Sequence, residues 1–204
     1  MTEKYRSTPS RGPSEHSVRD QIIQAATEHF GRYGYEKTTV SNVAKSVGFS
    51  KAYIYKFFSS KQAIGEVICA NRLATVIGVV EGLVLAEPAA SGKLTALFYG
   101  LQQAGGDLLF HDRGLCDVAS VAVRDQWLSV SRHQARLREI ISQIILEGRE
   151  TGEFERKTPL DEVVGAIYVL MQSYINPVLL RHSLEPAHNG VAHLSALILR
   201  SLAF

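Results

Sequence analysis

Residues 38–64, TTVSNVAKSVGFSKAYIYKFFSSKQAI, decide how the rest of the chain is read. Val40, Val43, Ala44 and Val47 recur at the i, i+3, i+4, i+7 spacing of a short helix with one buried face, and Thr39 stands where a hydroxyl caps the first turn. Gly48 closes that helix by supplying the positive φ of a sharp turn, while the small side chain of Ala44 lets two helices approach closely. Ser50 then caps a second helix, with Ile54, Phe57 and Phe58 facing inward and Lys51, Tyr53, Tyr55 and Lys56 on other faces. This is the outline of a helix-turn-helix whose second helix enters a DNA groove.

The flanks extend the pattern. Val18, Ile22, Ala25, Ala26, His29, Phe30 and Tyr33 recur at helical spacing, and Gly31 and Gly34 mark the end of that helix. Residues 1–16 mix Ser, Thr, Pro, Gly and Arg and predict a disordered arm. Ser60 caps a long helix from Lys61 to the break at Pro88, about 35 Å at 1.5 Å per residue, enough to join a head to a separate core.

The run Gly48, Phe49, Ser50, Lys51, Ala52, Tyr53, Ile54, Tyr55, Lys56, Phe57, Phe58, Ser59, Ser60, Lys61 resembles the TetR family's G-x-S-x-x-x-L-Y-x-H-F-x-S-K pattern. The preceding RDQIIQAATEHFGRYGYEKTTV resembles the family's first helix and its link to the second. Two positions depart from the pattern, Ala52 for a common glycine and Phe57 for a common histidine or tyrosine. The resemblance covers residues 18–64 and implies an all-α protein. Its three-helix DNA-binding head spans residues 17–63, and a helical effector-binding and dimerisation domain spans residues 64–204. It also implies a homodimeric repressor, a pseudopalindromic double-stranded operator, and release from that operator by a small apolar effector of unknown identity. Lys51, Ala52 and Tyr53 occupy the first turn of the second helix, where bases are contacted. Lys51 suits guanine O6 and N7, and Tyr53 or the Ala52 methyl suits a thymine methyl. The alternatives are a solvated lysine and a packing tyrosine. Thr39, Tyr55, Lys56 and Lys61 match phosphate-holding positions, Thr39 being equally an N-cap; Arg6, Arg11 and Arg19 would extend the footprint.

Composition agrees with this reading. Residues 1–70 carry ten Lys and Arg against six Asp and Glu, while the remainder carry twelve against fourteen, so the net charge of +2 conceals a positive head. Cys69 and Cys116 lie far apart and form no CxxC pair, as expected of a reducing compartment. No run predicts a signal peptide or membrane helix, so a cytoplasmic protein is expected.

Beyond the long helix, KLTALFYGLQQAGGDLLF, GLCDVASVAV, SRHQARLREIISQIILEGRETGEF, LDEVVGAIYVLMQSYI and NGVAHLSALILRSLAF read as successive helices, with Pro159 in a first turn and Pro177 at a kink. The last two carry more apolar residues than one face can hide, which fits a dimer interface. Phe98, Tyr99, Phe110, Trp127, Tyr168, Met171 and Tyr174 are candidates for an effector pocket or for ordinary core, with Trp127 favoured at a helix junction. Asp107, Asp117 and Glu147 could complement a cationic ligand but are more simply solvated or paired. His111, Cys116 and His133 lack the spacing of a zinc site, so no metal and no cofactor are expected. No P-loop, GxGxxG or GxSxG motif supports an enzyme. The competing function is a helical DNA-binding scaffold or corepressor insensitive to ligands.

Overall fold

The computed structural model describes residues 15–111, 113–176, 179 and 188–203, and every described element is helical. The head comprises α1 (Glu15–Tyr33), α2 (Val40–Ser46) and α3 (Lys51–Ile54). Gly34 and Gly48 both adopt the left-handed conformation that reverses the chain, at φ of +84° and +72°. The Ser50 hydroxyl accepts from the Tyr53 amide at 3.1 Å, and the Ser60 hydroxyl accepts from the Ala63 amide at 3.0 Å. Ile22, Ala26, Phe30, Val43, Ala44, Ile54 and Phe58 fill the head's core.

Three local expectations change. The recognition helix is a single turn ending at Ile54, after which the Lys56 and Phe57 amides donate three residues back, to the Tyr53 and Ile54 carbonyls, and this turn places Phe58 in the core; Phe57 is only half-buried, against Tyr53. Helix α1 runs through Gly31 and stops at Gly34. It also begins at Glu15, inside the stretch assigned to the arm, with an acidic residue in its first turn. Arg6 and Arg11 lie outside the described residues.

The larger half is built from α4 (Lys61–Ala86), α5 (Ala90–His111), α6 (Arg113–Arg124), α7 (Leu128–Thr151), α8 (Leu160–Ile175) and a C-terminal helix, α9 (His188–Leu202). Pro159 is the N-cap of α8 rather than part of its first turn, and Pro177 lies outside the described residues. Leu94, Leu97, Phe98, Ile141, Ile144 and Met171 centre one apolar core shared by α4, α5, α7, α8 and α9. By length and composition α4 could cross a membrane. Its charged residues argue for a different role: Glu81 pairs with Arg136 of α7, and α5 and α7 pack along its length. The apolar exposure of α8 and α9 centres on Val169, Leu170 and Leu197.

Two joints stiffen this half. Glu153 accepts from the Ala90 and Ser91 amides at 2.9 and 3.0 Å, capping α5, and these bonds hold its carboxyl below the usual range. Gly152, at φ +82°, ends α7 and returns Phe154 onto Gly148 so closely that a Cβ there would overlap the ring. Gly148→Ala should therefore cost about 1–3 kcal/mol through overpacking, read as a lower urea midpoint with an unchanged slope.

Candidate nucleic-acid interface and adjoining chamber

In the head, Thr39, Lys51, Ala52, Tyr55 and Lys56 are all exposed. Thr39 closes a capping box: the Asn42 amide donates to its hydroxyl at 3.2 Å and its own amide donates to Asn42 Oδ1 at 3.0 Å. The cap fixes the Thr39 hydroxyl at the start of α2 while leaving the residue accessible. Lys51 Nζ lies 5.8 Å from the Tyr55 ring centroid and Lys56 Nζ lies 5.5 Å from that of Tyr53, so both ammoniums rest over aromatic faces, with no ion-pair partner among the described residues. Tyr53 is half-buried, its ring edge-on to Phe49 at 5.1 Å and to Phe57 at 5.3 Å. Packing therefore claims most of this side chain and sets the pitch of the one-turn helix.

Two cations do internal work. Lys61 donates to the Tyr35 carbonyl at 3.0 Å and sits 4.2 Å above the Tyr35 ring, tying the start of α4 to the loop after α1. Arg19 lies 4.3 Å over the Phe58 ring and donates to the Phe57 carbonyl at 3.1 Å, which holds the segment after α3 against α1. A link between carbonyl and lysine leaves no mark in side-chain spacing, so sequence reading could not find either role.

The head's apolar cluster continues through Ile64 and Ile68 of α4 into Val118, Val121 and Ala122 of α6 and Trp127, the chain's one tryptophan. Trp127 lies edge-on to Tyr35, with centroids 5.5 Å apart, and against Gly65. A Cβ on Gly65 would approach its indole to 2.6 Å. The Trp127 indole N–H is buried without a hydrogen-bond partner. Immediately after it, the Leu128 and Ser129 amides donate to the two Glu66 carboxylate oxygens at 2.8 and 3.0 Å. Glu66 thus supplies α7 with an N-terminal cap from another helix and matches its dipole. Arg124 bridges Glu36 at 3.1 Å and Asp125 at 2.7 Å across the same junction. Burial, followed by the nearby carboxylates, pushes the Tyr35 phenol up to about 12, so it stays neutral.

Two connected hollows lie beside this junction. A groove of about 600 Å³ runs between α4 and α7, floored by Val67, Ala70, Ala74 and Ile77 and edged by Arg132 and Arg136. Leu73 and His133 also line a second, partly open chamber of about 70 Å³ between α4, α6, α7 and α8, whose lining includes Tyr168, Gln172 and Asn176. His133 Nδ1 and Tyr168 Oη are buried without hydrogen-bond partners among the described residues. Burial pushes the His133 imidazole down to about 4 and the Cys69 thiol up, so both are neutral at pH 7.

Of the proposed pocket residues, Tyr168 lines the chamber. Trp127 belongs to the head junction. Phe98 and Met171 are fully buried in the main core, Tyr174 packs at its edge, and Tyr99 is exposed. The side chains of Phe110, Asp107 and His111 lie outside the described residues. Glu147 pairs with Lys93, and Asp117 lies against Gly34. Cys116 is buried, and among the described residues no three His, Cys, Asp or Glu side chains converge on a metal position. His133 was visible in the sequence only as a weak metal candidate. Its i, i+4 relation to Ser129 was the available signal, since it puts both on one face of α7.

Residues 22–67 match the profile of bacterial regulatory proteins of the tetR family, and residues 90–192 match the tetracyclin repressor-like C-terminal domain. The biofilm operon icaADBC HTH-type negative transcriptional regulator IcaR of Staphylococcus aureus is 43% identical over 49 residues, 24% of this chain and 26% of IcaR. The HTH-type transcriptional regulator YvdT of Bacillus subtilis is 32% identical over 63 residues, 31% of this chain and 32% of YvdT. The chain therefore matches only about a quarter to a third of the length of these curated relatives. The fatty acid degradation regulator FadR from Bacillus halodurans superposes with a TM-score of 0.68 at 20% identity, covering 93% of this chain and 96% of FadR. FadR from Bacillus subtilis, in complex with stearoyl-CoA, gives 0.65 at 21% identity, covering 90% and 97%.

The junction and the chamber each generate an expectation. Gly65→Ala should displace the indole, shifting Trp127 emission and weakening DNA binding by the head, both measurable on one sample. The depressed His133 pKa means that the unfolded chain binds the extra proton, so this stability is present above about pH 6.5 and is lost as pH falls toward 4. Between pH 7 and 5 the loss from His133 should be about 2 kcal/mol, and chemical denaturation of His133→Phe should show a correspondingly shallower pH dependence.

Proposed function

The chain belongs to the TetR family of bacterial regulatory proteins, and from that premise we propose that it is a homodimeric repressor, released from a pseudopalindromic operator by a small molecule bound beside α7. TetR-family proteins are DNA-binding transcription regulators, soluble in character, and a cytoplasmic location goes with that role. Lys51, Ala52 and Tyr53 are assigned to base edges, and Thr39, Tyr55 and Lys56 to phosphates. Lys61 is assigned both a phosphate contact and the tie to Tyr35. The exposed lysines over aromatic rings support the assignment, since an ammonium without an ion pair is available to a phosphate or guanine.

The observation that carries the release mechanism is the double use of Glu66 and Ser129. Both line the α4–α7 groove, and both form the clamp that fixes α7 beside Trp127, Gly65 and Tyr35. A ligand that fits the groove better when the clamp shifts disfavours the DNA-bound spacing of two heads. To move the balance from 1:99 to 99:1 it must prefer the released state by about 10⁴-fold. The second subunit is proposed to cover Val169 and Leu170 of α8 and Leu197 of α9, which would otherwise leave large aliphatic side chains in water.

Operator titrations test the assignments. Lys51→Ala should relax discrimination at one base pair by about 1–3 kcal/mol, whereas Lys56→Ala should weaken operator and scrambled duplex alike and flatten the salt dependence. Val169→Glu combined with Leu197→Glu should give a folded monomer by analytical ultracentrifugation, without specific operator binding. A wild-type monomer at micromolar concentration would refute the dimer. Operator binding unaffected by any ligand that occupies the groove would favour the ligand-insensitive scaffold.

A further inference from the structure

The 70 Å³ chamber has a definite chemical character. None of its described lining residues is Asp, Glu, Lys or Arg, so a charged group entering it would be desolvated without a counter-ion. It is not apolar either: His133 and Tyr168 line it, and His133 Nδ1 and Tyr168 Oη are buried without hydrogen-bond partners among the described residues. Tyr168 is fixed from outside, where the Arg138 guanidinium lies 3.9 Å from its ring centroid. A neutral imidazole nitrogen is either a donor or an acceptor according to tautomer, and a phenol is both. A hydroxyl satisfies the pair in either tautomer, because it donates one bond and accepts another. An ether only accepts, a carboxylate accepts and brings an unpaired charge, and an ammonium brings an unpaired charge of the other sign. The wall toward the groove consists of Leu73 and His133, which line both hollows, and beyond it lies the Ala70, Ala74 and Ile77 floor.

We propose that the chamber binds the uncharged hydroxyl end of a largely apolar ligand, with the oxygen between His133 and Tyr168 and the body lying past Leu73 in the α4–α7 groove. The inference rests on the effector reading and narrows it to one ligand class. His133 and Tyr168 become the specificity-determining residues, and Arg132 and Arg136 remain at the solvent edge of the groove.

The test uses the full chain, isotope-labelled at histidine, with four probes of matched body: 4-butylphenol, 4-butylanisole, 4-butylbenzoate and 4-butylbenzylammonium. Calorimetry gives affinity, the ¹⁵N shift of the His133 ring reports its hydrogen bond, and fluorescence anisotropy of labelled operator reports release. The phenol should bind about tenfold or more tighter than the other three and move the His133 resonance, because removing a partner from a buried polar pair is costly. His133→Phe and Tyr168→Phe should each erase most of that preference while changing anisole affinity by less than about threefold. Tyr168→Phe removes a single oxygen and keeps the test sound if His133→Phe misfolds. Equal binding of phenol and anisole, a preference for either ion, a preference that survives both variants, or no binding of any probe at 1 mM would overturn the proposal. A phenol that binds as expected but leaves the operator complex intact would uphold the hydroxyl site and overturn the effector reading instead.

Discussion

The contact on which the rest depends is that between the Trp127 indole and the bare Cα of Gly65. Two helices that differ in origin, one beginning in the DNA-binding head and one in the regulatory half, meet there without an intervening side chain. Tyr35 closes the third side and Glu66 holds the first turn of α7 one residue further on. Head and regulatory half therefore share a core. The long helix α4 does not simply connect them, since its first turns are buried in the head's own apolar cluster.

This arrangement explains why polar groups collect where they do. A helix start needs partners for its amides, and α7 takes them from Glu66 because Trp127, at the capping position, has no oxygen to offer. That arrangement places a carboxylate at one end of the groove and a histidine one turn further along α7. The chamber then takes its polarity from residues that the helices bring together, and none of its described lining residues is Asp, Glu, Lys or Arg.

The helix-turn-helix was legible because its determinants are local. Thr39, Gly48 and Ser50 each act on amides or dihedral angles within a few residues, and the structure shows caps and a positive φ at those positions. The length of the recognition helix was less legible: its periodicity continues to Phe58, yet Phe58 reaches the core through a turn that Arg19 of α1 helps to hold. Effector residues were the least legible. An aromatic side chain on an apolar helix reads the same whether it faces the core, as Phe98 does, a cavity, as Tyr168 does, or a neighbouring helix, as Trp127 does. Separating these cases requires the rotation of each helix about its axis, which depends on partners far away in sequence.

The unpartnered indole N–H of Trp127 has a further meaning. Burying such a group without a hydrogen bond costs about 1–3 kcal/mol, and the cost falls at the seam between the two halves. The same side chain packs against Gly65 and Tyr35, so close packing and an unsatisfied polar group coincide at the one place where the head and the regulatory half share a core.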